Sequence, residues 1–381
     1  MSPNSLLHAQ IIGEGTPVLF VHGWLLNGAT EALDFEPIFT TLTGFNFKRI
    51  YVDLPGMGQS PLGDVTDLDS MYERLRDFVQ TVIGNARFLL VGSSCGAYLC
   101  RALVHDFSGQ IDGVLLRVPM VKPDNAERDV DEFRVLVGDG AYMGSLSPVD
   151  ASWVKDILIQ TPAYTDLMRR RMDMARAAVA MCEGEMLAQI RNDTSRYCLS
   201  RPLDDERGFP APTLILCGRH DGVVGWRDAL GLVEKYLRAS FVVLDRGVHA
   251  MPVDEGDVFE ALVRDWLARV QEWQAARTGS SMLHGRGAQP LDNVLEISAT
   301  DPKALSSQRH YYDKKHLFCD SEKWDRIGDS TKNLRTRIEK AKLSHKRLGP
   351  FSFANNRKER VQAQATVLSR HHLGSPDLPM S

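Results

Sequence analysis

A serine framed by two glycines is the feature of the sequence best suited to chemistry. Residues 88–97 read FLLVGSSCGA, so an apolar run ends in Gly92, Ser94 and Gly96 with the spacing G-x-S-x-G, and an amphipathic segment follows. Where a strand turns sharply into a helix, side chains at the two glycine positions would collide with nearby backbone. Ser94 would then stand at the tip of the turn with its hydroxyl accessible. The expected chemistry is attack on a carbonyl, that is, acyl transfer.

Two backbone amides are candidates for stabilising the negative charge that this attack creates on the carbonyl oxygen. The first free amide of the helix after Ser94 belongs to Cys95, and amides at a helix N-terminus point toward anions. Another apolar run, residues 17–21, leads into the motif HGW, which ends at Trp24. Because ligands bind at the carboxyl ends of strands in open α/β sheets, the Trp24 amide is the expected second donor of an oxyanion hole.

A serine hydroxyl needs a base to remove its proton, and an imidazole serves as that base when a carboxylate fixes its tautomer. Asp221 and His249 each stand in a loop that directly follows a predicted buried strand. Asp124 is a rival acid and His220 a rival base. However, His220 immediately precedes Asp221, so the two side chains are expected to diverge. We therefore expect Asp221 and His249 to be the partners of the serine.

Strands and helices alternate along most of the first 276 residues, which favours a parallel sheet with helices on both faces. The predicted strands cover residues 17–21, 47–54, 88–93, 113–121, 213–217 and 240–244, and the predicted helices cover residues 71–83, 95–107, 226–237 and 258–276. A further apolar run at residues 6–12 is separated from the first of these strands by Gly13 and Gly15. This spacing predicts a hairpin at the start of the chain.

The alternation stops between residues 122 and 208. No good strand is found there, but residues 162–191 show apolar side chains at every third or fourth position. This stripe consists of Met168, Met172, Ala175, Val179, Cys182 and Met186. Helix packing explains such a stripe, and a pliable lid over an apolar pocket is a second interpretation that is compatible with the first.

Composition indicates a globular protein with a full core. The chain has 381 residues, of which 43% are hydrophobic and 25% charged. Residues 1–20 have neither the basic start nor the apolar segment of a signal peptide, and no stretch is long enough to span a bilayer. The six cysteines lack the spacing of a metal site or a disulfide framework. We therefore expect a cytoplasmic protein that does not act at a membrane.

The last part of the chain differs from the rest in charge. Residues 277–381 contain 19 Lys and Arg against 11 Asp and Glu, whereas the whole chain has a net charge of −4. Because their apolar density is too low for a separate core, we expect a basic, largely disordered extension. Residues 330–348 have the pattern of one basic helix. A solvated charged face explains the same residues, so a nucleic-acid partner is not favoured.

Taken together, five motifs resemble the α/β-hydrolase fold family, and in particular its lid-bearing serine hydrolases. They are VLFVHGW (residues 18–24), YVDLPGMGQS (51–60), VGSSCGAYL (91–99), TLILCGRHDGVVG (213–225) and LDRGVHAMPVDE (244–255). The chain order Ser, Asp, His agrees with this family. Val248 stands where such proteins usually have glycine, so the loop before His249 departs from the pattern. Epoxide hydrolases and haloalkane dehalogenases, which use a carboxylate nucleophile, are disfavoured because residue 94 is serine.

The resemblance implies a mostly parallel central sheet and assigns roles to residues. Ser94 would be the nucleophile, His249 the base and Asp221 the acid, with Trp24 and Cys95 supplying the oxyanion amides. Residues 1–121 and 209–276 would form the core, residues 122–208 an inserted helical lid, and residues 277–381 the extension.

The function that follows is cofactor-independent and metal-independent cleavage of an ester, thioester, lactone or related acyl bond, or of a C–C bond. The substrate would be a small, mainly apolar molecule. The alternative is a ligand-binding protein on the same fold with little or no turnover. The sequence does not indicate an oligomeric state.

Overall fold

The computed structural model of the protein describes residues 6–253 and 255–284, with side chains as far as residue 278. The basic extension predicted for residues 277–381, including its possible helix at residues 330–348, lies almost wholly outside the described residues.

Seven strands form one sheet in the order β1-β3-β2-β4-β5-β6-β7. They are β1 (Ala9–Ile12), β2 (Thr16–Val21), β3 (Phe47–Val52), β4 (Phe88–Ser93), β5 (Ile111–Arg117), β6 (Phe209–Gly218) and β7 (Tyr236–Leu244). All neighbouring pairs are parallel except β1 and β3, which pair antiparallel. The predicted mostly parallel sheet is therefore confirmed.

The hairpin predicted at the start of the chain is wrong. β3 lies between β1 and β2. Val52 of β3 pairs with Ala9 of β1, and Phe47 of β3 pairs with Thr16 of β2. The glycines do mark a turn, because Gly13 has φ 74°. β1 is half exposed and suits the edge of the sheet, whereas β2 is buried along most of its length and has neighbours on both sides. Turn residues alone do not decide which strand becomes the neighbour.

The described residues contain nine α-helices. They are α1 (Gly28–Phe39), α2 (Leu68–Val82), α3 (Cys95–Phe107), α4 (Gly140–Ser145), α5 (Pro148–Val154), α6 (Pro162–Val179), α7 (Gly184–Asn192), α8 (Arg227–Leu230) and α9 (Gly256–His284). Helix α1 contacts α9, and α2 contacts α3, so the sheet is covered by two helical layers. Among the described helices, none combines the length and the apolar content that crossing a bilayer requires.

Two helical predictions differ from the structure. The helix expected over residues 226–237 is only α8 followed by a 3₁₀ turn, because the chain joins the sheet at Tyr236, which pairs with Phe209 of β6. The helix expected over residues 162–191 is interrupted between α6 and α7. Helix α1 was not predicted at all, although Asn27 caps it by accepting a hydrogen bond from the Thr30 amide.

Helices α4–α7 form an insertion between β5 and β6, which we call the helical insertion (residues 122–208). It has its own small apolar cluster, separate from the main core. The buried members are Val154, Ile157, Leu158, Ile159 and Tyr164. The main core lies around the sheet and the helices that cover it. The loops that carry Trp24, Ser94, Asp221 and His249 follow the carboxyl ends of β2, β4, β6 and β7.

Candidate active site

Ser94 stands between β4 and α3 in a strained conformation. Its φ of 54° lies in the region that residues with side chains rarely adopt. The flanking glycines are required by close packing: a Cβ on Gly96 would lie 2.2 Å from the Val21 carbonyl oxygen, and one on Gly92 would lie 2.6 Å from Cys100 Sγ. The sharp turn inferred from the sequence is thus present. Ser94 as a whole residue is partly exposed.

The imidazole of His249 connects Ser94 to Asp221. His249 Nε2 lies 3.0 Å from Ser94 Oγ, and His249 Nδ1 lies 2.8 Å from Asp221 Oδ2. The other carboxylate oxygen, Oδ1, accepts hydrogen bonds from the amides of Val223 and Val224 at 2.8 Å and 3.0 Å. Because a carboxylate can only accept from Nδ1–H, Nε2 is left to accept the serine proton.

The two rival residues take no part in this chain of hydrogen bonds. The Asp124 side chain accepts a hydrogen bond from the Ala126 amide and caps a short 3₁₀ helix (Asn125–Glu127). The backbone amide of His220 donates to the Gly247 carbonyl, which fixes the loop but uses no side-chain atom.

His22 anchors the loop that carries Trp24. Its Nε2 accepts from the Leu54 amide at 2.9 Å, and its Nδ1 therefore donates to the Gly23 carbonyl at 2.8 Å. Burial lowers the pKa of His22 to about 4, so the ring stays neutral and keeps both bonds. A Cβ on Gly23 would lie 3.2 Å from Ser94 Cβ. The loop is thus held directly against the serine.

Cys95 begins α3, and its side chain is fully buried beside the serine. Burial raises the pKa of the Cys95 thiol to about 11, so the thiol remains protonated at neutral pH. The hydroxyl of the buried Tyr197 is close enough to lower the pKa of this thiol, and the Tyr197 ring packs edge-on against the ring of Trp24 with 5.0 Å between the ring centres. The Cys95 side chain therefore acts as a small apolar group that fills the turn.

A buried ionic network, which the sequence analysis missed, lies behind the serine. Arg117 is 3% exposed at the end of β5. Its guanidinium donates to Ser93 Oγ at 2.9 Å and to Glu31 Oε2 at 2.7 Å. It also donates to Asp34 Oδ2 at 2.5 Å and to the Met251 carbonyl at 3.2 Å. The network therefore joins β4, α1, β5 and the loop that carries His249.

Arg171 of α6 extends this network into the helical insertion. It donates to both carboxylate oxygens of Asp34, at 2.6 Å and 2.8 Å, and to the Met251 carbonyl at 3.1 Å. Val248 and Val253, on either side of His249, pack against the apolar cluster of the helical insertion. The loop of His249 is therefore held by polar and apolar contacts with the insertion. Val248, the departure from the usual glycine, provides one of these contacts.

One signal for the network was present in the sequence. Arg117 interrupts the otherwise apolar run GVLLRVPMV, and a charge inside a buried strand calls for a partner. The partners Glu31 and Asp34 lie on α1, which was not predicted. Burial raises the pKa of Glu31, and its Oε1 has no hydrogen-bond partner among the residues that the structure describes.

The described residues contain no group of three or more His, Cys, Asp or Glu side chains placed to hold a metal ion. A cleft of about 290 Å³ lies away from the serine, between the start of the chain, the Trp24 loop and Met181 of the helical insertion. Neither Ser94 nor His249 lines this cleft.

Residues 16–257 match the model of the alpha/beta hydrolase fold family. The chain belongs to this family. A pimeloyl-[acyl-carrier protein] methyl ester esterase of Neisseria meningitidis is 22% identical over 266 residues, which are 68% of this chain and 80% of the relative. A Variovorax paradoxus protein named for carbamate hydrolysis is 27% identical over 273 residues, covering 69% of this chain and 97% of the relative.

A crystal structure of an alpha/beta superfamily hydrolase from Oenococcus oeni superimposes with a TM-score of 0.60 at 25% identity. The match covers 70% of this α/β-hydrolase chain and 97% of the other. The family match and these relatives, which are named as hydrolases and esterases, identify the protein as a hydrolase.

Proposed function

We propose that this α/β hydrolase is a cofactor-independent serine hydrolase with Ser94 as nucleophile, His249 as general base and acid, and Asp221 as the carboxylate. The observation that carries the proposal is a continuous chain of hydrogen bonds. Ser94 Oγ lies 3.0 Å from His249 Nε2, and His249 Nδ1 lies 2.8 Å from Asp221 Oδ2. These distances are within the range that proton transfer requires.

In the first half-reaction, Ser94 Oγ bonds to the carbonyl carbon of the substrate while its proton moves to His249 Nε2. Asp221 stabilises the imidazolium that forms, because it already accepts from Nδ1. The negative charge on the carbonyl oxygen is assigned to the backbone amides of Trp24 and Cys95. The position of Cys95 at the start of α3 and the anchoring of the Trp24 loop by His22 support this assignment.

Collapse of the tetrahedral intermediate breaks the bond to the leaving group, which takes the proton from His249. In the second half-reaction, His249 removes a proton from water and the resulting hydroxide equivalent attacks the acyl-enzyme. Ser94 then regains its proton as the acid product leaves.

For the substrate, we propose a small acyl compound that is mainly apolar, with an ester as the simplest scissile bond. The half-buried methionines of α6 and the aromatic pair of Trp24 and Tyr197 support an apolar environment near the reacting groups. The helical insertion would act as the lid over this region, because it contacts the His249 loop directly.

The test is a fluorophosphonate probe combined with short aryl esters. The wild-type protein should be labelled at Ser94 and should hydrolyse 4-nitrophenyl butyrate, and Ser94→Ala should abolish both. Ser93→Ala controls for the neighbouring hydroxyl and should still be labelled, because Ser93 faces Arg117 and Glu31. A folded wild-type protein that is neither labelled nor active would instead support a ligand-binding role.

A further inference from the structure

Arg128 is a buried cation without an acidic partner among the described residues. It is 6% exposed, and within the described part of the chain its guanidinium donates only to backbone carbonyl oxygens. These belong to Lys122, Pro123 and Val223, at 2.8 Å, 3.0 Å and 3.0 Å. Carbonyl dipoles satisfy its hydrogen bonds but do not neutralise its charge. A buried charge is normally paired with an opposite charge, so Arg128 departs from the usual arrangement.

Arg191, near the end of α7, is a half-buried cation that also lacks an acidic partner among the described residues. Its Nη2 donates to Asn125 Oδ1 at 2.7 Å, and no described residue accepts a hydrogen bond from its Nε or Nη1. The guanidinium lies 4.3 Å above the ring of Tyr197. The Tyr197 ring packs against the ring of Trp24 with 5.0 Å between the ring centres, and its hydroxyl is close enough to the Cys95 thiol to lower the pKa of that thiol. One side chain therefore separates Arg191 from both residues assigned to the oxyanion hole.

Asn125 links the two arginines, because its side-chain Oδ1 accepts from Arg191 Nη2 and its carbonyl oxygen accepts from the backbone amide of Arg128. Burial is the largest cause that lowers the pKa of Arg128, and the positive charge of Arg191 is the second largest. Both charges also act on the Cys95 thiol, and the negative charge of Asp221 acts on Arg128. Two like charges close together in a region of low dielectric repel each other. An anion bound in this region would be stabilised by both positive charges.

We propose that Arg128 and Arg191 form a subsite for a carboxylate group of the substrate, so that the enzyme acts on esters that carry a second, ionised carboxyl group. The inference rests on the proposed function and narrows its substrate class. A guanidinium fits a planar carboxylate through parallel N–H donors. Arg191 has such donors free of described partners, whereas Arg128 has committed three and supplies mainly charge. The remainder of the substrate stays apolar.

The test compares esters that differ only in this charge. On the acyl side, mono-4-nitrophenyl glutarate is paired with its neutral methyl ester. On the leaving-group side, 4-acetoxybenzoate is paired with methyl 4-acetoxybenzoate. The wild type should show a kcat/KM about tenfold or more higher for the carboxylate member of at least one pair, as expected for charge-assisted hydrogen bonds.

Arg191→Met should remove this preference, lowering kcat/KM for the carboxylate ester by about 10- to 100-fold, mainly through KM. The neutral ester should change by less than about threefold, since it makes no contact with the charge. Arg191→Lys should recover part of the preference. Comparing each variant with wild type on the same ester cancels differences in intrinsic reactivity. Arg196→Met is the matched control, because Arg196 is an exposed arginine paired with Asp193.

The outcomes separate the two proposals. If wild type hydrolyses the neutral esters through Ser94 but prefers the carboxylate member of neither pair, the subsite is wrong and the hydrolase mechanism stands. Equal losses on both members in Arg191→Met also overturn the subsite. If no ester is hydrolysed and Ser94 is not labelled, the proposed function itself fails.

Discussion

His249 has two differently bonded ring nitrogens, and this difference makes the role of Asp221 testable. In Asp221→Asn the amide can donate to Nδ1, which would place the imidazole proton on Nε2 and remove the acceptor for the Ser94 hydroxyl. We expect kcat for 4-nitrophenyl butyrate to fall by about 10⁴-fold with little change in KM. Steady-state kinetics and the rate of fluorophosphonate labelling measure the effect.

Asp124→Asn provides the control for this prediction. Asp124 was the rival acid, and its side chain only caps a short 3₁₀ helix. Its replacement should change kcat by less than about threefold, because asparagine also caps helices well. A large loss of kcat in Asp124→Asn with an active Asp221→Asn would reverse the assignment of the acid.

His22 makes a prediction about stability and pH. Its pKa is about 4 in the folded protein against about 6.5 when exposed in the unfolded chain. Between these values the unfolded state binds a proton that the folded state does not, so this contribution to stability is complete above pH 6.5 and is lost as the pH falls. The loss is about 2 kcal/mol between pH 6.5 and pH 5, and about 3 kcal/mol by pH 4.

Urea unfolding of wild type and of His22→Gln, each at pH 7 and at pH 5, measures this contribution to the free energy of unfolding. The variant should be less stable than wild type at pH 7, since the His22 bonds to Leu54 and Gly23 are altered. The difference between variant and wild type should narrow by about 2 kcal/mol at pH 5, because glutamine does not titrate. Equal pH dependence in the two proteins would show that His22 is not the group responsible.

At the scale of elements, α6 is joined to the loop of His249 by Arg171. In Arg171→Met, Arg117 is the one cationic partner that Asp34 keeps among the described residues, and the Met251 carbonyl loses one of its two arginine donors. We expect a loss of about 1–3 kcal/mol in the free energy of unfolding. We also expect a kcat reduced by about tenfold or more, because the base is less well positioned.

Arg170→Met is the matched control for Arg171→Met. Arg170 is the preceding residue of the same helix and is exposed, so its replacement should leave both stability and kcat close to wild type. Thermal unfolding and ester kinetics on the two variants make the comparison. If both variants behave alike, the contacts of Arg171 do not position the His249 loop.

The elements also show how far local sequence patterns reach. The turn at Ser94 was predictable, because the sharp turn needs residues without side chains on both sides of the serine, and two glycines occur within five residues. The loops of Asp221 and His249 were predictable because each follows an apolar strand. The edge position of β1 and the ionic network of Arg117 were not, since they depend on pairing between distant segments. The partners Glu31 and Asp34 lie 86 and 83 residues from Arg117 in sequence.

At the scale of the whole molecule, all parts of the proposed machinery lie within residues 6–284. This range contains the seven strands, the helical insertion, Ser94, Asp221 and His249. The family match ends earlier, at residue 257, although α9 continues to His284 and is part of the core. Trp266 of α9 is fully buried, and its Nε1 donates to the Pro212 carbonyl at 3.1 Å.

We therefore expect a chain that ends at His284 to fold and to keep the ester-hydrolysing activity of the full chain. The expected change in kcat/KM is less than about threefold, because no group assigned to the reaction or to the core around it is removed. A chain that ends at Glu255 is the control: without α9 it exposes the apolar surface that Phe259, Val263 and Trp266 cover, and it should be insoluble or unfolded. Circular dichroism, thermal unfolding and kinetics on the three lengths make the measurement. Loss of activity in a well-folded chain ending at His284 would assign residues 285–381 a part in the reaction.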